Sequence, residues 1–199
     1  WPADLETPLT TWLKVGEGHP PGVLLESVEG GENLGRWSVI ACDPLWTLSA
    51  RGDVLTRRWR DGFEESFQGN PLEVLRECTN AYKPVSLPGL PPLGQLYGMW
   101  GYELIRWIEP SVPVHQADKN APPDGVWMLM DSILIIDQVK RLITAVAYGD
   151  LSSTRAAAKT ADDAWDGAMG RIRGLENRMA SPLPQLRPLR WKPAARPTP

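Results

Sequence analysis

Leu25, Glu26 and Ser27 end the run Gly22-Val23-Leu24-Leu25-Glu26-Ser27, and Arg36 follows after the loop V-E-G-G-E-N-L-G. A carboxylate, a hydroxyl and a guanidinium around a glycine-rich loop can bind a small zwitterion. The carboxylate, or a backbone carbonyl, takes an ammonium. The hydroxyl bonds either pole, and the guanidinium supplies positive potential for a carboxylate. The plainer reading is an internal ion pair. Glu26 and Ser27 follow an apolar run, so at least one is expected near the interior, where a carboxylate needs a partner. Arg36 would be that partner. The residue types leave both readings open.

Other chemistries find no template. The chain has no glycine-rich phosphate loop, no nucleophile elbow and no zinc signature. The pairs Glu64-Glu65 and Asp162-Asp163 sit in polar stretches expected to be solvated. Cys42 and Cys78 match no metal spacing and read as buried thiols in a reducing cytosol. His19 and His115 are isolated. The run G-M-W-G-Y-E (Gly98 to Glu103) has glycines that permit close backbone approach. It is read as packing where a strand meets a helix, with a wall against another domain or ligand as the functional alternative.

The elements that would position these residues can be traced. Thr7 caps a helix with Pro8 at its first position and Leu9, Trp12 and Leu13 on one face. Val23 to Val28 is a strand apolar enough to be largely buried, and Arg36 to Cys42 is another. Trp46 to Ala50 and Val54 to Arg60 flank R-G-D (Arg51 to Asp53), which reads as a hairpin turn rather than an adhesion motif. Asn70 caps a helix beginning at Pro71 and ending near Lys83-Pro84. Gly94 to Trp100 is a strand, Tyr102 to Ile108 a short helix, and 111–125 a proline-rich loop. Val126 to Ile136 and Arg141 to Tyr148 form a long hairpin around D-Q-V-K. Leu151 to Met179 is a long helix, weakened by Gly167 and Gly170. The pattern predicts an α+β fold, with twisted antiparallel sheets built from hairpins and helices on their outer faces.

Bulk properties bound the class. The 199 residues suffice for one large domain or two small ones, and 42% are hydrophobic. The net charge of −3 gives no basic bias, so nucleic acid is not an expected partner. No apolar run approaches the roughly 20 residues of a membrane helix. Ten tryptophans against two phenylalanines suggest indoles as core anchors. The chain opens at Trp1 without methionine or a signal-like segment, and is expected to be part of a longer protein. Residues 1–180 read as one domain. Residues 181–199, dense in proline, read as a linker.

Four segments carry a family resemblance. L-L-E-S-V-E-G-G-E-N-L-G-R-W-S-V-I-A-C-D-P resembles the amino-terminal region of the anthranilate synthase component I family. D-L-E-T-P-L-T-T-W-L-K-V is similar to the helix just upstream there. G-Q-L-Y-G-M-W-G-Y-E-L-I-R-W-I-E-P resembles a third family segment, with Trp100 and Trp107 where phenylalanine or tyrosine is common and Glu103 where aspartate is common. D-G-V-W-M-L-M-D-S-I-L-I-I-D-Q-V-K-R-L-I-T-A-V-A-Y is similar to the fourth, although Asp124 is followed by glycine.

The resemblance implies a parent enzyme that converts chorismate and ammonia, or glutamine-derived ammonia, to anthranilate and pyruvate in tryptophan biosynthesis. It also implies a cytoplasmic protein with a glutamine amidotransferase partner (component II). Magnesium and chorismate would be held by a carboxy-terminal chorismate-binding domain whose motifs this chain lacks, as it lacks the family's first strand. No catalytic residue or cofactor is then expected here. The resemblance implies that Leu25, Glu26, Ser27 and, less directly, Arg36 form half of the feedback site for L-tryptophan. Aminodeoxychorismate synthase, the folate-pathway relative, has the same architecture and is the nearest alternative. A non-catalytic module stacking sugars or bases on surface tryptophans is an alternative of another class.

Overall fold

The computed structural model describes residues 1–27, 35–83, 85–113, 121–151, 155 and 158–184. The element order is α1 (Pro8–Val15), β1 (Gly22–Glu26), β2 (Trp37–Cys42), β3 (Trp46–Arg51), β4 (Val54–Trp59), β5 (Glu64–Gln68), α2 (Pro71–Ala81) and β6 (Leu96–Trp100). A 3₁₀ turn at Tyr102–Leu104 then runs into α3 (Ile105–Ile108), followed by β7 (Gly125–Leu129), β8 (Ser132–Asp137), β9 (Leu142–Ala147) and α4 (Ala161–Met179). Two antiparallel sheets result, in the orders β1-β2-β8-β9 and β5-β4-β3-β7-β6. The α+β expectation holds.

The sheets share one bent ribbon. β2 pairs with β8 in the first sheet, and their continuations β3 and β7 pair in the second. The β2–β3 side carries one residue more than its partner between the Ile40–Leu134 and Trp46–Leu129 pairs, so the register slips by one at the corner. An extra residue on one strand bends a ribbon and lets it change sheets. Asp43 turns that corner at φ 56°. The expected single strand Val126–Ile136 is therefore two strands in different sheets, broken at Met130-Asp131. Only its second half pairs with β9.

Three apolar clusters follow from this layout. Val15, Ile40, Leu134, Ile136, Ile143, Leu175 and Met179 lie between the four-stranded sheet and helices α1 and α4. Ala41, Met130, Ile133, Ile135 and Val146 occupy the opposite face of that sheet, with Tyr97 and Met128 of the second sheet against them. Trp46, Leu48, Leu55, Trp59, Trp127 and Leu129 of the five-stranded sheet pack on Leu75 and Cys78 of α2 and on Leu104.

Several local expectations need correction. Leu9 is exposed; the buried stripe of α1 is Pro8, Thr11 and Val15 with Trp12 beside it, which is helical spacing disguised by a threonine. β1 is a sheet edge, so Leu25 is 49% exposed rather than buried. Glu64 and Glu65 lie on a strand, β5, and pair across it with Arg58 (2.7 Å) and Arg57 (3.3 Å). Alternating charge hid that strand. Helix α4 begins at Ala161, not Leu151. The Thr160 hydroxyl accepts the Asp163 N–H at 3.1 Å, and Asp162 and Asp163 sit where the helix dipole favours acids. Val28, Ala156, Ala157, His115 and residues 185–199 of the expected linker lie outside the described residues.

Trp127 explains a departure in the fourth segment. Its ring lies where a Cβ at Gly125 would fall, and a Cβ at Gly98 would meet both that ring and the Val126 carbonyl. The glycine after Asp124 is the space the indole needs. Asp124 itself accepts the Gly52 N–H of the R-G-D turn at 2.6 Å and pairs with Arg106 at 3.0 Å. R-G-D is a turn, as its glycine at φ 60° requires.

Candidate ligand half-site at the β1–β2 hairpin

The antiparallel register sets the site. Leu25 faces Val39 and Glu26 faces Ser38, so Ser27 leaves β1 beside the point where Arg36 leads into β2. The four residues named from the sequence thus gather at one end of the four-stranded sheet. Leu25 and Glu26 are exposed, and Ser27 and Arg36 are half-buried.

The internal ion pair drawn from the sequence does not form. Arg36 pairs with Asp137, at the end of β8. Its Nε donates to Oδ1 at 3.1 Å and its Nη2 to Oδ2 at 2.7 Å. This fork raises the guanidinium pKa and holds the Asp137 carboxyl below its ordinary range. The Glu26 carboxylate has no ion-pair partner among the described residues. β1 is an edge strand, and a carboxylate there stays in water at no desolvation cost.

Asp137 is the site residue that residue-type reasoning missed. It stands opposite Trp37 in the sheet, which places it beside Arg36. The available signal was an aspartate closing a strand ahead of a turn, a position where the side chain bonds N–H groups two and three residues on. Its Oδ1 accepts those of Val139 (3.1 Å) and Lys140 (3.0 Å).

Among the described residues, the site is an open edge rather than an enclosed pocket. A cavity of about 490 Å³, lined by Tyr82, Leu87, Gln95, Val146 and Tyr148 among others, lies at the opposite end of β9. A second open surface runs along β6 and α3, where Met99, Trp100, Tyr102 and Ile108 are exposed. The G-M-W-G-Y-E run is thus tight packing on its glycine side and uncovered on its Met99 side. Cys42 and Cys78 are buried free thiols, and burial pushes both up in pKa. Among the described residues, no group of three or more His, Cys, Asp or Glu is arranged to hold a metal ion. No described helix is long and apolar enough to cross a membrane.

Comparison with known proteins decides the family. No protein-family model matches the chain. Anthranilate synthase component 1 of Synechocystis is 50% identical over 185 residues, covering 92% of this chain and 36% of the relative. The chain belongs to the anthranilate synthase component I family. It corresponds to the amino-terminal part of those proteins and spans little more than a third of their length. Component 1 of Cereibacter sphaeroides is 33% identical over 180 residues, 87% of this chain and 36% of the relative. The crystal structure of anthranilate synthase component I from Streptococcus pneumoniae superposes with a TM-score of 0.56 at 20% identity, over 91% of this chain and 36% of that one. That likeness supports the shared fold.

Proposed function

We propose that the chain is the regulatory amino-terminal part of an anthranilate synthase component I and supplies half of an L-tryptophan feedback site. The parent would convert chorismate, with free ammonia or ammonia released from glutamine by a component II amidotransferase, to anthranilate and pyruvate. Chorismate and magnesium belong, on this reading, to the carboxy-terminal part found in longer relatives. The observation that carries the reading is the grouping of Leu25, Glu26, Ser27 and Arg36 at a sheet edge that no described residue covers. Among the described residues, a carboxylate, a hydroxyl and a guanidinium stand there without an enclosing wall, as one side of a shared cavity would.

Tryptophan bound between this edge and a second domain holds the two in one arrangement. If that arrangement disfavours chorismate binding, inhibition follows without contact with the reacting atoms. The coupling equals the ligand's differential affinity for the two states, typically ~1–3 kcal/mol. Removing a hydroxyl that bonds a charged ligand group costs about 1–3 kcal/mol, or roughly 5- to 150-fold in affinity. The test is the tryptophan inhibition curve of the full-length enzyme carrying Ser27→Ala. Its midpoint is expected to rise by that factor. An unmoved midpoint removes Ser27 from the site. Anthranilate as product, in place of aminodeoxychorismate, is checked by chromatography of the same reaction.

A further inference from the structure

Arg36 is held on two sides. Asp137 engages its Nε–Nη2 edge, and its guanidinium carbon lies 4.4 Å from the centroid of the Trp37 ring. A guanidinium carries five N–H donors. The Nη1 edge has no partner among the described residues. The clamp is itself anchored. Asp137 is 5% exposed and is fixed by the Val139 and Lys140 N–H groups, so four hydrogen bonds converge on one carboxylate. The next residue completes the tie. The Gln138 N–H donates to the Arg36 carbonyl at 2.8 Å, and Gln138 Nε2 donates to the buried Ser38 hydroxyl at 3.2 Å.

We propose that Asp137 is the positioning residue of the tryptophan half-site. With Trp37 it orients the Arg36 guanidinium so that the Nη1 edge receives the carboxylate of the bound amino acid. This rests on the feedback-site reading above and names the group each partner of Arg36 serves. Asp137 offsets most of the arginine's charge, so what Arg36 offers a ligand is directional hydrogen bonding more than net potential. A planar fork locked on one edge and one face loses little freedom when the other edge is bound. A loose arginine at the mouth of a glycine-rich loop must be ordered by the ligand itself.

The experiment uses the full-length enzyme, with Asp137→Asn and two ligands, L-tryptophan and L-tryptophanamide. Asparagine keeps an oxygen for the Val139 and Lys140 N–H groups, so the β8–β9 turn survives. It loses the charged fork to Arg36. Tryptophanamide keeps the indole and the ammonium but has no carboxylate for Arg36 to receive. Asp137→Asn is expected to raise the half-inhibiting tryptophan concentration about 3- to 10-fold and to leave that of tryptophanamide in place. If the amide is too weak to read, the comparison is made on an Arg36→Ala background, where Asp137→Asn should add nothing. Equal weakening of both ligands, or the same shift without Arg36, overturns the proposal, because Asp137 would then act through general structure. A tryptophan midpoint unmoved by Asp137→Asn but moved by Ser27→Ala also overturns it and leaves the half-site standing. Midpoints unmoved by Ser27→Ala, Arg36→Ala and Asp137→Asn alike overturn the half-site reading itself.

Discussion

Arg60 reaches Asp131 with two nitrogens, Nη1 to Oδ2 at 3.0 Å and Nη2 to Oδ1 at 2.7 Å, and so fastens the end of β4 to the corner where β7 becomes β8. Asp131 is buried and also meets Arg171 of α4 at 3.4 Å, while Arg60 bonds the carbonyl of Asp43 at the companion corner. One carboxylate thus ties both sheets and the long helix at the bend. Asp131→Ala takes a carboxylate from two guanidinium groups, leaving Arg60 with Asp43 and Arg171 with the Tyr148 carbonyl. Loss of one partner of a buried pair costs about 3–5 kcal/mol. Solvent around the partly exposed Arg60 reduces this to about 2–3 kcal/mol. Urea unfolding of the wild-type and Asp131→Ala chains measures it, and a midpoint shift below half a molar would remove Asp131 from that role.

The Trp127 ring sets a second expectation. Gly98→Ala drives a methyl into the indole and the Val126 carbonyl, and neither backbone can yield without parting β6 from β7. Overpacking of this kind costs about 1–3 kcal/mol. Gly170→Ala is the opposite case. It lies inside α4 with nothing within 4 Å of its added methyl, so it should stabilise by about 0.5–1 kcal/mol through helix propensity. Thermal melts of the two variants should move in opposite directions. A Gly98→Ala chain as stable as wild type would show that β6 repacks at little cost.

These two sites mark where the sequence could be read and where it could not. Local chemistry was legible. Thr7, Asn70 and Gly52 act through their own backbone neighbours, and each cap or turn forms where its residue type predicts. Position within a sheet was not legible. Leu25 follows an apolar run that reads as a core strand and lies on an edge; Glu64 and Glu65 read as a polar, solvated stretch and form a strand on which Arg57 and Arg58 face them. The Asp131 corner turns a continuous apolar run into strands of two sheets, through a register slip that only pairing reveals. The candidate half-site is a like case. Its residues were named from one segment, whereas the partner of Arg36 comes from a strand distant in sequence.

The tryptophans separate a buried framework from a stacking surface. Trp46, Trp59 and Trp127 are less than 10% exposed, while Trp165, Trp100 and Trp1 are open to solvent. Trp100 meets Trp127 edge-on at 4.8 Å, so it presents no free coplanar platform. Acrylamide quenching of the chain should therefore be biphasic, with a protected component from the buried indoles. Trp165→Phe should remove part of the accessible component alone. Uniform, rapid quenching of the whole emission would favour the module that stacks sugars or bases.

Tyr97 gives the chain a limit in alkali. Burial between the sheets pushes its hydroxyl up to about 12, with Tyr148 nearby adding to the shift. An acid whose folded-state pKa is raised favours the protonated form on folding. Its contribution is full below the unfolded value near 10 and is lost as pH rises from there through about 12. A shift of this size corresponds to on the order of 3 kcal/mol. Urea midpoints of the wild-type chain should hold steady up to about pH 9.5 and fall between about pH 10 and 12, a window fixed by those two pKa values. Tyr97→Phe, which keeps the ring and has nothing to ionise, should flatten that fall. If both chains lose stability in parallel across the window, the alkaline limit belongs to other groups.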